Sequence, residues 1–335
     1  MPKKLHIPEL SIKNVFTLLG FIGLSLIIIF NRHLLADSWH LVGQLHWYII
    51  VVIIIVQLIS YWLNAFYYRS ILNVFNSYHI SILRLFEAAL ATNYVNYMVP
   101  SAGAAGAGYL SQVLSPDVTR GESVLAQLMR SVFDALALLI MMPFGLFLIV
   151  ISHQSRGPVI RESLISTSVV FIAAIFIFWF VYHESKLRKT LSKITRFIKH
   201  LYPNFGGEKA IIYFLNSFYK GYHSMFNKKK QMLVPFIWSV LYVAVELLTV
   251  YLVFLAFGKV INPGIVMTAY LIANIVSIFG GLLFSVGAFE VGMAGTFITL
   301  GIPSSLALSI TVLYRAINLI ISLPPGFYYY RKYLP

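Results

Sequence analysis

The stretch GLLFSVGAFEVGMAGTFITLGIPSSLALSITVLYRAINLI, residues 281–320, decides how this chain folds. Its first half is apolar but broken by Gly281, Gly287, Gly292 and Gly295, so it does not read as one continuous helix. Its second half is a helix-like apolar run interrupted by Tyr314, Arg315 and Asn318. A charge at the centre of a bilayer costs at least about 2.5–3.5 kcal/mol on insertion scales, so an arginine there needs a partner or a ligand. The rest of the chain confirms the setting. Of its 335 residues 59% are apolar and 11% charged, and the mean hydropathy is +0.82. That is far above a soluble domain, and lipid is the solvent such a chain requires. The expected fold is an all-α polytopic membrane protein, because only segments that satisfy their own backbone hydrogen bonds cross a bilayer.

A hydrocarbon core about 30 Å thick needs roughly 20 apolar residues of helix. Six stretches qualify: about 14–31, 47–66, 131–152, 163–182, 233–257 and 304–328. The first follows Lys3, Lys4 and Lys13 and is read as a retained helix, since NRHLLADSW behind it offers no small-residue cleavage site. Two further apolar stretches, about 84–114 and 264–300, carry glycine clusters, SAGAAGAG at 101–108 and VGAFEVGMAG at 286–295. Between Glu184 and Lys230 there are eleven Lys or Arg and two acids, which assigns that loop to the cytoplasm. The N-terminal lysines, the turn from Arg69 to Arg84 and the Arg331, Lys332 tail join it there. Six crossings satisfy all these assignments if each glycine-broken stretch is a re-entrant hairpin, the first entering from the cytoplasm and the second from outside. Both termini are then cytoplasmic, in a cell (plasma) membrane.

This solution makes the two halves alike. Each reads as a glycine hairpin followed by a helix that carries an arginine, Arg130 or Arg315, and ends near Pro143 and Gly145 or near Pro324 to Gly326. The topology of the halves is opposite, the pattern of an inverted repeat with a site between broken elements near the midplane. Residues 1–335 are expected to form one transmembrane domain. In the 184–230 loop, Leu187, Leu191, Ile194, Phe197, Ile198 and Leu201 recur at helical spacing among Lys186, Arg188, Lys189, Lys193, Arg196 and Lys199. This basic amphipathic helix either lies in an anionic leaflet or is a solvated connector.

Few ionisable groups sit inside the apolar segments. Arg130 and Asp134 are four apart, hence on one helix face, and either neutralise each other or form a site. Arg315 has no acid three or four residues away, so its partner is Glu290, Glu246 or a ligand. Tyr314 and Asn318 extend that polar spot, and Asn93, Tyr94, Asn96 and Tyr97 offer hydrogen bonds at the mouth of the first glycine cluster. The glycines allow close helix packing, and equally an exposed backbone for an anion. Glu246, inside VAVELLTV, reads as a structural hydrogen-bonding group, and Glu87 is left unassigned. No cysteine is present, and the sequence has no HExxH, GxSxG, Walker loop, dinucleotide fingerprint or acid cluster suited to a metal. No cofactor and no catalytic residue is expected. The basic excess, 25 against 11, is concentrated in one loop and points to anionic lipid and topology rather than to nucleic acid.

The Gly287 to Glu290 turn, the Leu300 to Pro303 junction and the Tyr314, Arg315 helix, in that order, resemble the lysylphosphatidylglycerol synthase transmembrane family. NYMVPSAGAAGAGYL, residues 96–110, resembles that family's first loop. The sequence departs from the family where Pro100 is followed by Ser, Ala and Gly, and where Leu283, Phe284 and Ser285 replace a Pro-Gly-Gly. The resemblance implies a flippase-like protein that binds or moves an anionic or aminoacylated phospholipid between leaflets. Arg315 then contacts phosphate, Glu290 meets a cationic head group or a proton, and Arg130 with Asp134 forms the pseudo-equivalent pair. It also implies a rival, the membrane part of a phosphatidylglycerol lysyltransferase, linked to antimicrobial peptide resistance, while the inverted repeat equally supports a secondary transporter of a small polar solute. The chain ends at RKYLP after its last helix, so the transferase domain is expected to be absent, and a separate soluble transferase or a second copy of the chain is the implied partner.

Overall fold

The structure is a computed structural model that describes residues 43, 45–75, 80–98, 103–115, 117–118, 120–151, 168, 172, 179, 183–201, 216, 219, 229–280 and 287–333. The described residues are helical, with turns between: α1 (Trp47–Phe75), α2 (Ile82–Met98), α3 (Ala104–Val113), α4 (Arg120–Ile151), α5 (Glu184–Leu201), α6 (Lys229–Ala256), α7 (Pro263–Gly280), α8 (Ala288–Thr299) and α9 (Ser304–Lys332). Four of these are long and apolar enough to cross a membrane, over Trp47–Val74, Glu122–Ile151, Lys230–Ala256 and Ser304–Lys332. The expected stretch 14–31 lies outside the described residues, and of 163–182 only residues 168, 172 and 179 are described.

The packing is inside-out relative to a water-soluble bundle. On α1, Gln57, Ser60 and Asn64 are fully buried, while Ile55, Leu58, Ile59 and Trp62 lie open. Hydrocarbon accommodates the exposed isoleucines at no cost, and the interior satisfies most of the polar groups. α1 and α6 pack antiparallel along the centre. His46 N–H donates to Ala256 O at 2.9 Å at one end, and Phe66 stacks on Trp238 near the other.

Around this pair the elements run long, short, short, long twice: α1 to α4, then α6 to α9. The packing repeats with them. α2 lies on α9 as α7 lies on α4, α3 lies on α4 as α8 lies on α9, and α1 touches α4 as α6 touches α9. The short helices form two hairpins, each with its own core. One core gathers Tyr67, Leu85, Leu110 and Phe133 about α2 and α3, and the other gathers Phe254, Leu271, Phe297 and Ile310 about α7 and α8. In the first hairpin Arg84, near the start of α2, donates to Val113 O at 3.3 Å and pairs with Asp117 at 2.7 Å, so its two arms begin and end together. Both hairpins resume their chain at a glycine of positive φ, Gly103 at +88° before α3 and Gly287 at +110° before α8. A side chain at either position would be strained.

The ends of α4 and α9 follow the apolar stretches 131–152 and 304–328 rather than the prolines within them. Neither helix stops near its proline: α4 continues through Pro143 to Ile151, and α9 through Pro324 and Pro325 to Lys332. In lipid, neighbouring helices and local adjustment absorb the carbonyl that a proline frees. The glycines beside these prolines mark close helix contacts instead. A Cβ on Gly326 would lie 2.8 Å from Leu90 O and 2.9 Å from Tyr94 Cβ, and one on Gly145 would lie 3.0 Å from Met267 Cβ.

α5 is the helix expected from the basic amphipathic pattern. Glu184 and Arg188 pair at 2.7 Å, and Leu187 and Leu191 pack on buried Tyr219 together with Leu128 and Val132 of α4. The upper part of its apolar face therefore rests on protein. The side chains of Ile194, Phe197, Ile198 and Leu201 lie outside the described residues.

Candidate functional site

The polar residues inside the bundle fall into three groups, two placed by the α1–α6 pair with one of the long helices and the third by α9 with the two hairpins. On α4, Arg130 is only 8% exposed, and its Nε lies 3.8 Å from Asp134 Oδ2. Its Nη1 donates to Tyr68 OH at 3.3 Å, and the guanidinium lies 5.3 Å from the Tyr68 ring centre and 5.2 Å from that of Tyr242. Tyr67 OH donates to Arg130 O, Tyr68 OH to Gln127 Oε1, and Ser239 Oγ to Asp134. This arginine is spent on its surroundings, with an acid, a phenol and two ring faces around it.

On α9, Tyr314 and Asn318 meet Glu246 of α6. Glu246 is 3% exposed and accepts from Ser60 Oγ at 2.6 Å, Tyr314 OH at 2.7 Å and Gln57 Nε2 at 3.2 Å. Gln57 Nε2 also donates to Asn318 Oδ1 at 2.6 Å, and Thr249 donates to Gln57 Oε1. Among the described residues Glu246 has no cationic partner. Counted from the starts of their helices at Arg120 and Ser304, Arg130 and Asp134 fall level with Tyr314 and Asn318. The two helices thus carry polar residues at similar depths, and the two arginines differ in what surrounds them.

Arg315 forms the third group. Its Nε lies 2.8 Å from Glu290 Oε1, which answers the question of its partner: Glu290, not Glu246. The N–H is not aimed at that oxygen, and both atoms lack a hydrogen-bond partner. The guanidinium lies 4.9 Å from the Tyr97 ring centre and 5.4 Å from that of Phe289. Glu290 is held by its other oxygen, which accepts the Gly287 N–H at 2.9 Å. This ties the carboxylate to the start of α8, while glycine supplies the turn and no returning cap. Tyr97 belongs to the last turn of α2, so residues flanking the tips of both hairpins converge on Arg315. The pair is about one-fifth exposed, 18% for Arg315 and 21% for Glu290. Among the described residues its guanidinium makes no hydrogen bond, in contrast to Arg130.

The remaining expected residues are nearby but differently employed. Asn96 Oδ1 accepts the Gly106 N–H at 3.0 Å and so clamps the two arms of the first hairpin. Glu87, unassigned from sequence, accepts from Lys332 at 2.7 Å and Tyr333 at 2.6 Å and ties α2 to the end of α9. Sequence reasoning missed Gln57, Ser60, Tyr67, Tyr68, Ser239 and Tyr242. For Gln57, Ser60 and Asn64 a signal was present, since their spacing of three and four puts them on one face of an otherwise apolar helix. Among the described residues no group of His, Asp or Glu is arranged to hold a metal.

The model of a family described as the lysylphosphatidylglycerol synthase TM region matches residues 14–326. A UPF0104 membrane protein of Methanothermobacter thermautotrophicus is 39% identical over 98 residues, 29% of each chain, so the match spans less than a third of that relative. A second UPF0104 membrane protein, of Methanocaldococcus jannaschii, is 24% identical over 278 residues, 82% of this chain and 81% of the relative. No solved structure matches.

Proposed function

The chain belongs to the lysylphosphatidylglycerol synthase transmembrane family, and from that membership and the Arg315 site we propose that it binds the phosphate of a membrane phospholipid and carries it between leaflets. The observation that carries this reading is the guanidinium of Arg315. It sits on a membrane-length helix where Tyr97 of α2 and Glu290 of α8 converge, partly open, with no hydrogen bond among the described residues. Its planar fork suits a phosphate through two parallel bonds, which lysine's point charge does not offer. Glu290, 2.8 Å away, keeps the site neutral when empty and meets the amine of an aminoacylated head group, or a proton, when the phosphate takes Arg315.

In this reading α2–α3 and α7–α8 are re-entrant hairpins from opposite faces, set among the six crossings expected from the sequence. The matched packing of α1–α4 and α6–α9, with α1 and α6 antiparallel, supports an inverted repeat, in which rocking of one half against the other opens a midplane site to each leaflet in turn. The basic end of the bundle, with Arg69, Arg84, Lys230 and Arg331, faces the cytoplasm of a plasma membrane.

The test is the lipid retained by the gently purified protein, measured by mass spectrometry. Wild type is expected to retain an anionic or aminoacylated phospholipid, and the double variant Arg315→Leu with Glu290→Gln, which leaves no uncompensated charge, to retain one fewer per chain. Equal retention by the double variant would remove the phosphate role from Arg315.

A further inference from the structure

A second place in the molecule has the chemistry of a lipid site and lies away from α9. Between the last turns of α1 and the first turns of α6 is a pocket of about 440 Å³, lined chiefly by Phe66, Arg69, Asn73, Gln231, Val234 and Trp238. It lies at the basic end of the bundle, where Lys230 is also exposed. It opens on the outer surface, because Phe66, Arg69 and Asn73 are exposed on α1 while Tyr67, Tyr68 and Ile71 are turned inward and buried. Phe66 and Trp238 stack at 5.4 Å and form its apolar wall. Among the described residues Arg69, Asn73 and Gln231 make no hydrogen bond or ion pair, so the pocket's polar rim is unspent.

We infer that this pocket binds one anionic phospholipid of the leaflet at the basic end, its phosphate on Arg69 and its chain along Val234 and the Phe66–Trp238 pair. Three features select that occupant. The outer face of α1 is apolar above the pocket, so its neighbours there are lipid chains. An arginine within two turns of a helix end extends its head to the phosphate level, where tryptophan also concentrates. The surrounding charge is positive, which favours an anionic over a zwitterionic head group. The inference does not depend on Arg315 or on transport, since it requires only that the chain sit in a bilayer.

Trp238 reports on the site directly. A variant in which Trp39, Trp47, Trp62 and Trp179 are changed to Phe leaves Trp238 as the sole indole. In phosphatidylcholine vesicles, its quenching by brominated phosphatidylglycerol should reach half its limit at a mole fraction about fivefold lower than with brominated phosphatidylcholine, the equivalent of the ~1 kcal/mol that one basic residue gains beside an anionic leaflet. Arg69→Gln should erase that preference, Arg315→Gln should leave it unchanged, and inorganic phosphate should not relieve the quenching. Equal quenching by the two lipids, or a preference surviving Arg69→Gln, would overturn the assignment and make the pocket ordinary lipid boundary. Relief by free phosphate would overturn it in favour of a soluble anion. Should the multiple variant fail to fold, native mass spectrometry of the otherwise wild-type chain serves instead, and Arg69→Gln must then lose one bound phosphatidylglycerol relative to wild type.

Discussion

Replacing Glu246 by Ala tests whether the central seam is held by hydrogen bonds to a carboxylate that has no cationic partner among the described residues. The change removes the acceptor for Ser60 Oγ and Tyr314 OH, while Gln57 Nε2 keeps Asn318 Oδ1 at 2.6 Å. An orphaned buried donor costs about 1–3 kcal/mol in soluble proteins. Inside membranes interhelical hydrogen bonds average only about 0.6 kcal/mol and reach about 1.7, because the unfolded chain in lipid also finds partners. The membrane scale applies here, and the three bonds to Glu246 together come to about 2 kcal/mol. At roughly 2–4 °C per kcal/mol, the melting temperature in detergent should fall by about 4–8 °C. Glu246→Gln retains one acceptor oxygen but turns an amide toward donors, so about half that loss is expected. The opposing effect is the cost of desolvating the carboxylate, which replacement relieves. If Glu246→Ala melted with or above wild type, desolvation would outweigh the bonds, and the seam would owe its stability to packing alone.

Three other expectations follow from the geometry. Gly326→Val should lower stability by about 1–3 kcal/mol, the usual cost of overpacking, because its Cβ meets Leu90 O at 2.8 Å. Gly108→Ala, where a Cβ meets nothing within 4 Å, is the thermal-melting control. Accessibility tags at residue 205 and at both termini should report one side of the membrane and a tag at 260 the other. A tag at 260 on the same side as residue 205 would contradict the opposed hairpins. Leu187→Glu should loosen α5 from Tyr219 and α4, read as faster proteolysis between 184 and 201, whereas unchanged cleavage would show that this contact contributes little.

The class of fold was legible because hydropathy and glycine spacing are local. The two hairpins follow from Gly103 and Gly287, where only glycine adopts the required φ without strain, and the long helices from their apolar runs. Helix ends were less legible. Proline signals a stop in water, but α4 and α9 pass through Pro143, Pro324 and Pro325, since in lipid their neighbours compensate. The site was half legible. Arg315 and Glu290 stand out as charges in an apolar context, and their 2.8 Å pairing links two segments that the sequence leaves as one of several combinations. The Glu246 network was not legible as a whole, because Gln57 and Ser60 lie more than 180 residues away and only the antiparallel α1–α6 contact brings them to the carboxylate.

The central claim is that the fork of Arg315 holds the phosphate of a lipid in transit. The direct measurement is transfer of labelled phosphatidylglycerol between leaflets of vesicles containing wild type or Arg315→Lys, with melting temperature recorded on the same preparations. Lysine preserves the charge facing Glu290 and loses the second parallel bond, so the account predicts near wild-type melting with transfer slowed about tenfold or more, the equivalent of ~1.4 kcal/mol. Normal transfer by Arg315→Lys would contradict the account and leave Arg315 as a structural partner of Glu290.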